Sequence, residues 1–295
     1  MEDSRQISWT KFEPVADVRF TAPDWRETID GGQAFSWNST ENENEFEGFF
    51  GGIAARLRLN AEGVPEASFP ECLDARACIP KVRKYLDCDT DYGKMRESLA
   101  QTGDAVVIKA LEIYPTLRIL RQDPAEAIIG FICSSSKRII QIKRCVRALA
   151  GCFGEEICPG YRALPTFERL ARADVSEILK CGLGFRAAYL SSTSKKITAE
   201  KFEAENLRQM PYLEAKKYLL GLSGVGDKVA DCILLFGCAR MEAFPVDTWV
   251  RKAMKELYGT PDNPQKIRDF AARKFPDYAG FAQQAIFAAK RNGLL

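Results

Sequence analysis

The stretch YLLGLSGVGDKVADCILLFG, residues 218–237, decides the reading of this chain. A helical run ends at Gly221, a short loop carries Gly224 and Gly226, and a second helix begins near Asp227. Glycine at both loop positions permits a tight turn and close approach of another molecule to the backbone. The first amides of the second helix have no intrahelical partners, and the positive end of the helix dipole lies among them. Together they form a seat for a phosphate oxygen. The expected element is a helix-hairpin-helix at about 212–238, in which Gly224, Val225 and Gly226 meet a nucleic-acid backbone without reading its sequence. Taken alone, a Gly-Val-Gly triplet reads as an ordinary helix–helix connection.

Lys228 stands in the first turn of that second helix, where the dipole disfavours an ammonium. A desolvated lysine there supplies a neutral amine nucleophile. Cys232, four residues on, shares its face and would line the same pocket, while Val229, Ile233 and Phe236 form a separate apolar row for the core. AFPVDTWVRKAM (243–254) opens a further helix, with Asp247 where an N-cap is wanted. Its carboxylate either caps that helix and nothing more, or accepts a proton from the amine and stabilises positive charge on a sugar. A lone lysine in a first turn is ordinarily a solvated side chain, so the two residues are read as a pair.

The rest of the chain limits the chemistry. There is no histidine among the 295 residues, which excludes Ser-His-Asp, Cys-His and histidine–metal mechanisms. Ten cysteines form no CxxC pair, and none follows Cys238, so neither zinc spacing nor a C-terminal iron–sulfur loop is present. Most read as small buried apolar residues. No apolar run spans a bilayer, and MEDSRQISW has neither the basic start nor the apolar stretch of an export signal. A soluble intracellular protein is expected. The net charge of +2 hides an asymmetry: residues 1–100 carry 12 basic and 19 acidic side chains, and residues 101–295 carry 30 and 21. The C-terminal part therefore suits a polyanion, although solvated faces would give the same count.

The first hundred residues read mainly as β structure, with FEGFFGGIAARLRL (46–59) as strands around a Gly51-Gly52 turn. From about residue 95 helical spacing takes over, in PAEAIIGFICSSSKRIIQIKRCVRALAGCFG (124–154), DVSEILKCGLG (174–184), MPYLEAKKYLLGLSG (210–224), VDTWVRKAMKELYG (246–259) and YAGFAQQAIFAAKRNG (278–293). The expected class is α+β, an antiparallel sheet domain over 1–105 and a mostly helical body over 106–295.

GVGDKVADC, followed 19 residues after its lysine by the aspartate of PVD, resembles the signature of the helix-hairpin-helix glycosylases. IDGGQAFSW (29–37), FICSS (131–135), LGFRAAY (183–189) and YAGFAQQAIF (278–287) narrow the resemblance to the 8-oxoguanine DNA glycosylase/lyase family over nearly the whole chain. That resemblance implies an N-terminal sheet similar to half of a TATA-binding protein, and excision of an oxidised purine from duplex DNA by base flipping. Lys228 then matches the nucleophile that forms a Schiff base at C1′ before β-elimination, and Asp247 the essential carboxylate. Gly32 matches the glycine whose carbonyl accepts the lesion's N7–H, a contact that guanine, with a lone pair there, cannot make. Cys232 and Phe287 match the base sandwich, Gln283 the reader of the Watson–Crick edge, and Phe185 and Arg186 the wedge and the contact to the orphaned base. Ser136 and Thr248 fall among the remaining DNA contacts.

The family's animal members differ at several places. Ser136 replaces their asparagine after FICSS, Gln141 their second arginine for the orphaned cytosine, Trp249 their phosphate-contacting histidine and Lys290 its acidic partner. These substitutions resemble a bacterial branch, for which a cytoplasmic, nucleoid-associated location is expected, and they predict relaxed preference for the opposite base. The run KRIIQIKRCVR (137–147) carries five cations and no acids, as extra backbone contacts or as a solvated face. The resemblance further implies a monomer, no cofactor beyond a monovalent cation at the hairpin carbonyls, and double-stranded DNA as partner.

Overall fold

A computed structural model describes residues 7–295; the leading MEDSRQ, part of the stretch read for an export signal, lies outside the described residues. Five short strands form an antiparallel sheet: β1 (Glu13–Pro14), β2 (Asn38–Ser39), β3 (Glu45–Phe50), β4 (Ile53–Leu59) and β5 (Pro65–Ser68), in the order β1-β5-β4-β3-β2. Gly51 and Gly52, with φ of 52° and 74°, make the β3–β4 turn, where mirror-image turn geometry matches the twist of the strands. The register sets Phe46 against Leu57 and Phe50 against Ile53. With Ala55 and Ala67 these bury one face on α1 (Ala22–Asp30) and α2 (Ala75–Tyr85). Along β3–β5 the remaining positions include ion pairs, Glu47 with Arg56 at 2.5 Å and Glu66 with Arg58 at 2.8 Å.

Helices begin earlier than the β reading of the first hundred residues predicted. α1 starts at a Thr21 cap with proline in its first turn, and α2 buries Cys78, Val82 and Tyr85, spaced four and three apart. Pro80 inside α2 masked that period. α3 (Tyr92–Gln101) and α4 (Ala105–Ile113) pack into a second, larger core, and the 105/106 boundary read from sequence falls after the first residue of α4.

At the centre of that core lie α5 (Pro124–Ser134), buried continuously from Ala127 to Ser134, and the last helix, buried from Ala279 to Ile286. Around them run α6 (Ile139–Phe153), the small hairpin β6 (Glu156–Cys158) and β7 (Tyr161–Arg162), α7 (Phe167–Arg172), α8 (Val175–Ile178), α9 (Arg186–Glu200), α10 (Tyr212–Leu220), α11 (Asp227–Cys232), α12 (Thr248–Tyr258), α13 (Pro264–Lys274) and α14 (Ala279–Arg291). The apolar run 124–154 is thus two helices. They break at Ser135–Arg138, where Ser136 adopts a left-handed φ of 52°. The run 174–184 is likewise only partly regular, α8 passing into a wide turn over Leu179–Leu183. No helix of the described residues is long and apolar enough to cross a membrane. Eight of the ten cysteines are buried, Cys72 and Cys152 being exposed.

The two cores interlock. Phe35 and Phe49 from the sheet side join the helical core, and Leu120 from the connecting segment joins the sheet core. Gln33, wholly buried, ties the two together: its side chain donates to the Arg118 carbonyl at 2.8 Å and accepts from the Leu120 amide at 2.9 Å. Its own carbonyl accepts from the Gln122 amide group at 2.7 Å. The chain on either side of the IDGGQ turn is therefore built into both units.

Candidate active site

α10 and α11 form the expected hairpin. Gly221 ends the first helix and Gly226 starts the second with no side-chain cap. Gly224 has φ of +80°, and a Cβ there would lie 2.7 Å from the Tyr189 side chain, so both conformation and packing require glycine. Nothing stands within 4 Å of a Cβ built on exposed Gly226, which leaves the helix start open to a ligand. Fully buried Asp231 braces the hairpin, accepting from Lys216 at 2.7 Å and from the Tyr212 hydroxyl at 2.9 Å. Lys216 and Arg268 also reach Asp227, at 3.7 and 3.3 Å.

Half-buried Lys228 projects from α11 into a cavity of about 510 Å³, its ammonium nitrogen 5.6 Å from the centre of the Phe131 ring. Asp247 lines the same cavity, as do Gly32, Cys232, Gln283 and Phe287. A second cavity of about 410 Å³ adjoins it. Lys228 and Asp247 belong to both, and Ser136, Thr248 and Arg251 line the second. Side chains read from four separated parts of the sequence therefore converge. The wall of the first cavity carries four cations, Lys137, Arg138, Lys228 and Arg291, against one carboxylate, Asp247, a balance that attracts polyanions.

Asp247 caps α12, accepting from the Val250 amide at 2.8 Å. Among the described residues no ion pair involves this carboxylate, which leaves it free to act on a neighbouring positive charge. Burial pushes the Cys232 thiol up to about 11 against the pull of the Lys228 ammonium. At neutral pH Cys232 is thus a neutral, apolar part of the wall.

Gln283 is 4% exposed and its Oε1 is buried without a protein partner, an acceptor left over for a ligand's donor. Gly32 has φ of +99°, which only glycine adopts readily. Phe287, four residues after Gln283 on α14, is partly buried.

Other predicted contacts lie outside this cavity. Phe185 is 60% exposed and packs edge-on against Tyr189, ring centres 5.7 Å apart. Arg186 is buried. Its guanidinium donates to the Ser135 carbonyl at 2.6 Å and to the Leu183 carbonyl at 3.1 Å, and stacks over Phe185. Three of its five N–H donors are thus committed to backbone carbonyls. The basic run 137–147 divides. Lys143 is buried in an ion pair with Asp30, Lys137 donates to the Gly182 carbonyl at 2.8 Å, and Arg144 and Arg147 are exposed. At the hairpin, the Lys196 ammonium sits 2.9 Å from the Gly221 carbonyl and the Thr193 hydroxyl donates to that of Ser223 at 2.9 Å.

Among the lining residues that the sequence reading did not assign to the site are Phe131, Ile140, Gln284 and Arg291. Ile140, 55% exposed beside the cleft, had a signal in being apolar at a solvent position. Phe131, Gln284 and Arg291 had none beyond their neighbours.

Residues 17–128 match the model of the 8-oxoguanine DNA glycosylase N-terminal domain, and residues 129–276 that of the HhH-GPD superfamily base excision DNA repair proteins. This chain belongs to the 8-oxoguanine DNA glycosylase family. The enzyme is thus a DNA-repair protein of the glycosylase/lyase class. A solved complex of Clostridium acetobutylicum 8-oxoguanine glycosylase/lyase with duplex DNA is similar throughout, at 32% identity and a TM-score of 0.86, covering 98% of this chain and 99% of that one. An N-glycosylase/DNA lyase of Saccharomyces cerevisiae is 26% identical over 90% of this chain and 82% of its own. A probable N-glycosylase/DNA lyase of Methanothermobacter thermautotrophicus is 34% identical over 60% of this chain, which spans 64% of that protein.

Proposed function

We propose that this enzyme excises 8-oxoguanine from duplex DNA and then nicks the strand, with Lys228 as nucleophile. The observation that carries the reading is the shared position of Lys228 and Asp247 between two adjoining cavities. At about 510 Å³ the first falls within the roughly 300–1,000 Å³ of small-molecule sites and suits an extruded base. The second, with Ser136 and Thr248, suits the sugar and its phosphates. A glycosylic bond cannot be reached while its base is stacked, so the nucleotide must flip.

The Lys228 amine bonds to C1′ as the glycosylic C–N bond breaks. The bonding pair leaves with the base, which takes up one of the amine's protons; the C1′–O4′ bond then breaks as the C1′=N bond forms, and O4′ takes up the other proton to leave the imine. Asp247 stabilises the positive charge that develops on the sugar. Loss of a C2′ proton from the imine then expels the 3′ phosphate. Gly32 presents its carbonyl to the lesion's N7–H, Gln283 faces the Watson–Crick edge, and Cys232 and Phe287 pack on the faces of the base. The enzyme acts as a monomer, and no step needs a cofactor.

Borohydride added during reaction with an 8-oxoguanine duplex should trap a covalent adduct, which Lys228→Gln abolishes. Base excision that survives Lys228→Gln without nicking would overturn the assignment and favour a monofunctional glycosylase using Asp247 alone.

A further inference from the structure

We propose that Arg291 is a positioning residue for lesion recognition, holding the Gly31–Gly32 turn and the Phe287 ring in fixed relation across the cleft. This inference rests on the function proposed above. Arg291 lies one helical turn beyond Phe287 on α14, with its guanidinium carbon 5.2 Å from the centre of that ring. One end of the guanidinium donates to the Gly31 carbonyl at 2.6 Å, the other to the Glu27 carboxylate at 2.6 Å. A single planar fork thus joins three parts of the site that come from opposite ends of the chain, a geometry lysine cannot reproduce.

The surroundings are built for that fork. Glu27 is 4% exposed, and burial raises its carboxyl above the usual range, so its charge depends on the cation beside it. Asn292 reaches the same carboxylate oxygen at 3.4 Å and the Tyr114 hydroxyl at 2.7 Å. Residue 31 has to be glycine, because a Cβ there would lie 2.4 Å from the Glu27 carboxylate and 2.1 Å from its carbonyl oxygen. The two consecutive glycines therefore divide the work. Gly31 makes room for the ion pair, and Gly32, at φ +99°, turns the next carbonyl. On the other flank of the turn, Lys143 of α6 pairs with Asp30.

A clamp of this kind acts on the base and leaves the amine chemistry alone. Two single-turnover rates separate the roles: excision from an 8-oxoguanine duplex, which needs the base pocket, and nicking of an abasic-site duplex, which does not. For Arg291→Met the expected result is excision slowed at least about tenfold (about 1.4 kcal/mol of lost base-specific interaction) with abasic-site nicking within about twofold of wild type. Arg291→Lys should recover only part of the loss. Equal slowing of both rates, or full excision by Arg291→Met, would overturn the proposal. Should Arg291→Met fail to fold, Glu27→Gln carries the test through the same ratio of rates, and an unchanged ratio there refutes it. Wild-type enzyme that nicks the abasic duplex but leaves 8-oxoguanine in place would instead refute the proposed substrate.

Discussion

Asp247 is asked to do two jobs, and substitution can separate them. As a cap it accepts one hydrogen bond, from the Val250 amide at 2.8 Å, at the start of a helix whose inner side is Val250, Ala253 and Met254. Asparagine caps as well as aspartate, so Asp247→Asn should leave stability nearly unchanged, whereas Asp247→Ala should cost about 1 kcal/mol. In a chain of this size that is a melting shift of roughly 2–4 °C. The electrostatic job is larger. Removing one preorganised group aimed at developing charge typically costs about 10²–10³ in rate. Asp247→Asn should therefore melt with wild type while its single-turnover cleavage of an 8-oxoguanine duplex falls by two to three orders of magnitude. Asp247→Ala should show the same loss of rate together with the melting shift. Calorimetry and excess-enzyme cleavage assays measure the two effects independently, and polarisation with labelled duplex checks that binding persists. Turnover by Asp247→Asn within about twofold of wild type would reduce Asp247 to a cap and remove the carboxylate from the mechanism.

Other expectations rest on different parts of the molecule. Asp231→Ala strands the Lys216 ammonium in the hairpin interior and should cost about 3–5 kcal/mol in chemical denaturation; a loss under 1 kcal/mol would show that Asp227 suffices as partner. Burial raises the Glu126 carboxyl from 4.5 to about 8, with Asp123 adding to the shift and the Gly51 amide opposing it. A raised acid favours the fold at low pH, and that contribution fades as pH climbs through about 8. The melting temperature of Glu126→Gln should thus gain on wild type between pH 6 and pH 9, and a constant difference would disprove the assignment. Phe287→Ala should weaken lesion-duplex binding by about 1–3 kcal/mol of lost stacking while binding of an abasic duplex is nearly unchanged; equal weakening of both would deny the ring a place against the base. With Arg186 turned onto the Ser135 carbonyl and neutral Gln141 exposed, excision rates opposite C and A should agree within about tenfold. A cytosine preference of a thousandfold would mean that Arg186 swings out on binding.

What the sequence disclosed depended on how local the cause was. The hairpin was legible because glycine positions, helix period and the start at Asp227 all act within twenty residues. The Gly51-Gly52 turn was legible for the same reason. α2 was not, since Pro80 interrupts a period that packing against the sheet restores. The break at Ser135–Arg138 was also hidden, because the bonds on either side of Ser136 come from residues distant in sequence, Arg186 to the Ser135 carbonyl and Lys137 to that of Gly182. Gly32, Gln283 and Phe287 could be placed together only through resemblance. Nothing local links residue 32 to residue 287, and the structure supplies that link through α14. Arg291 lay beyond both routes, because its role exists only once Glu27 and Gly31 stand opposite it.

Gln33 has an outcome for how the site must work. Locked by its own amide into the segment 118–122, it gives the neighbouring carbonyl a fixed address, like the jaw of a gauge that cannot open. On the proposed function, a base presented to that carbonyl meets backbone anchored in both units of the protein.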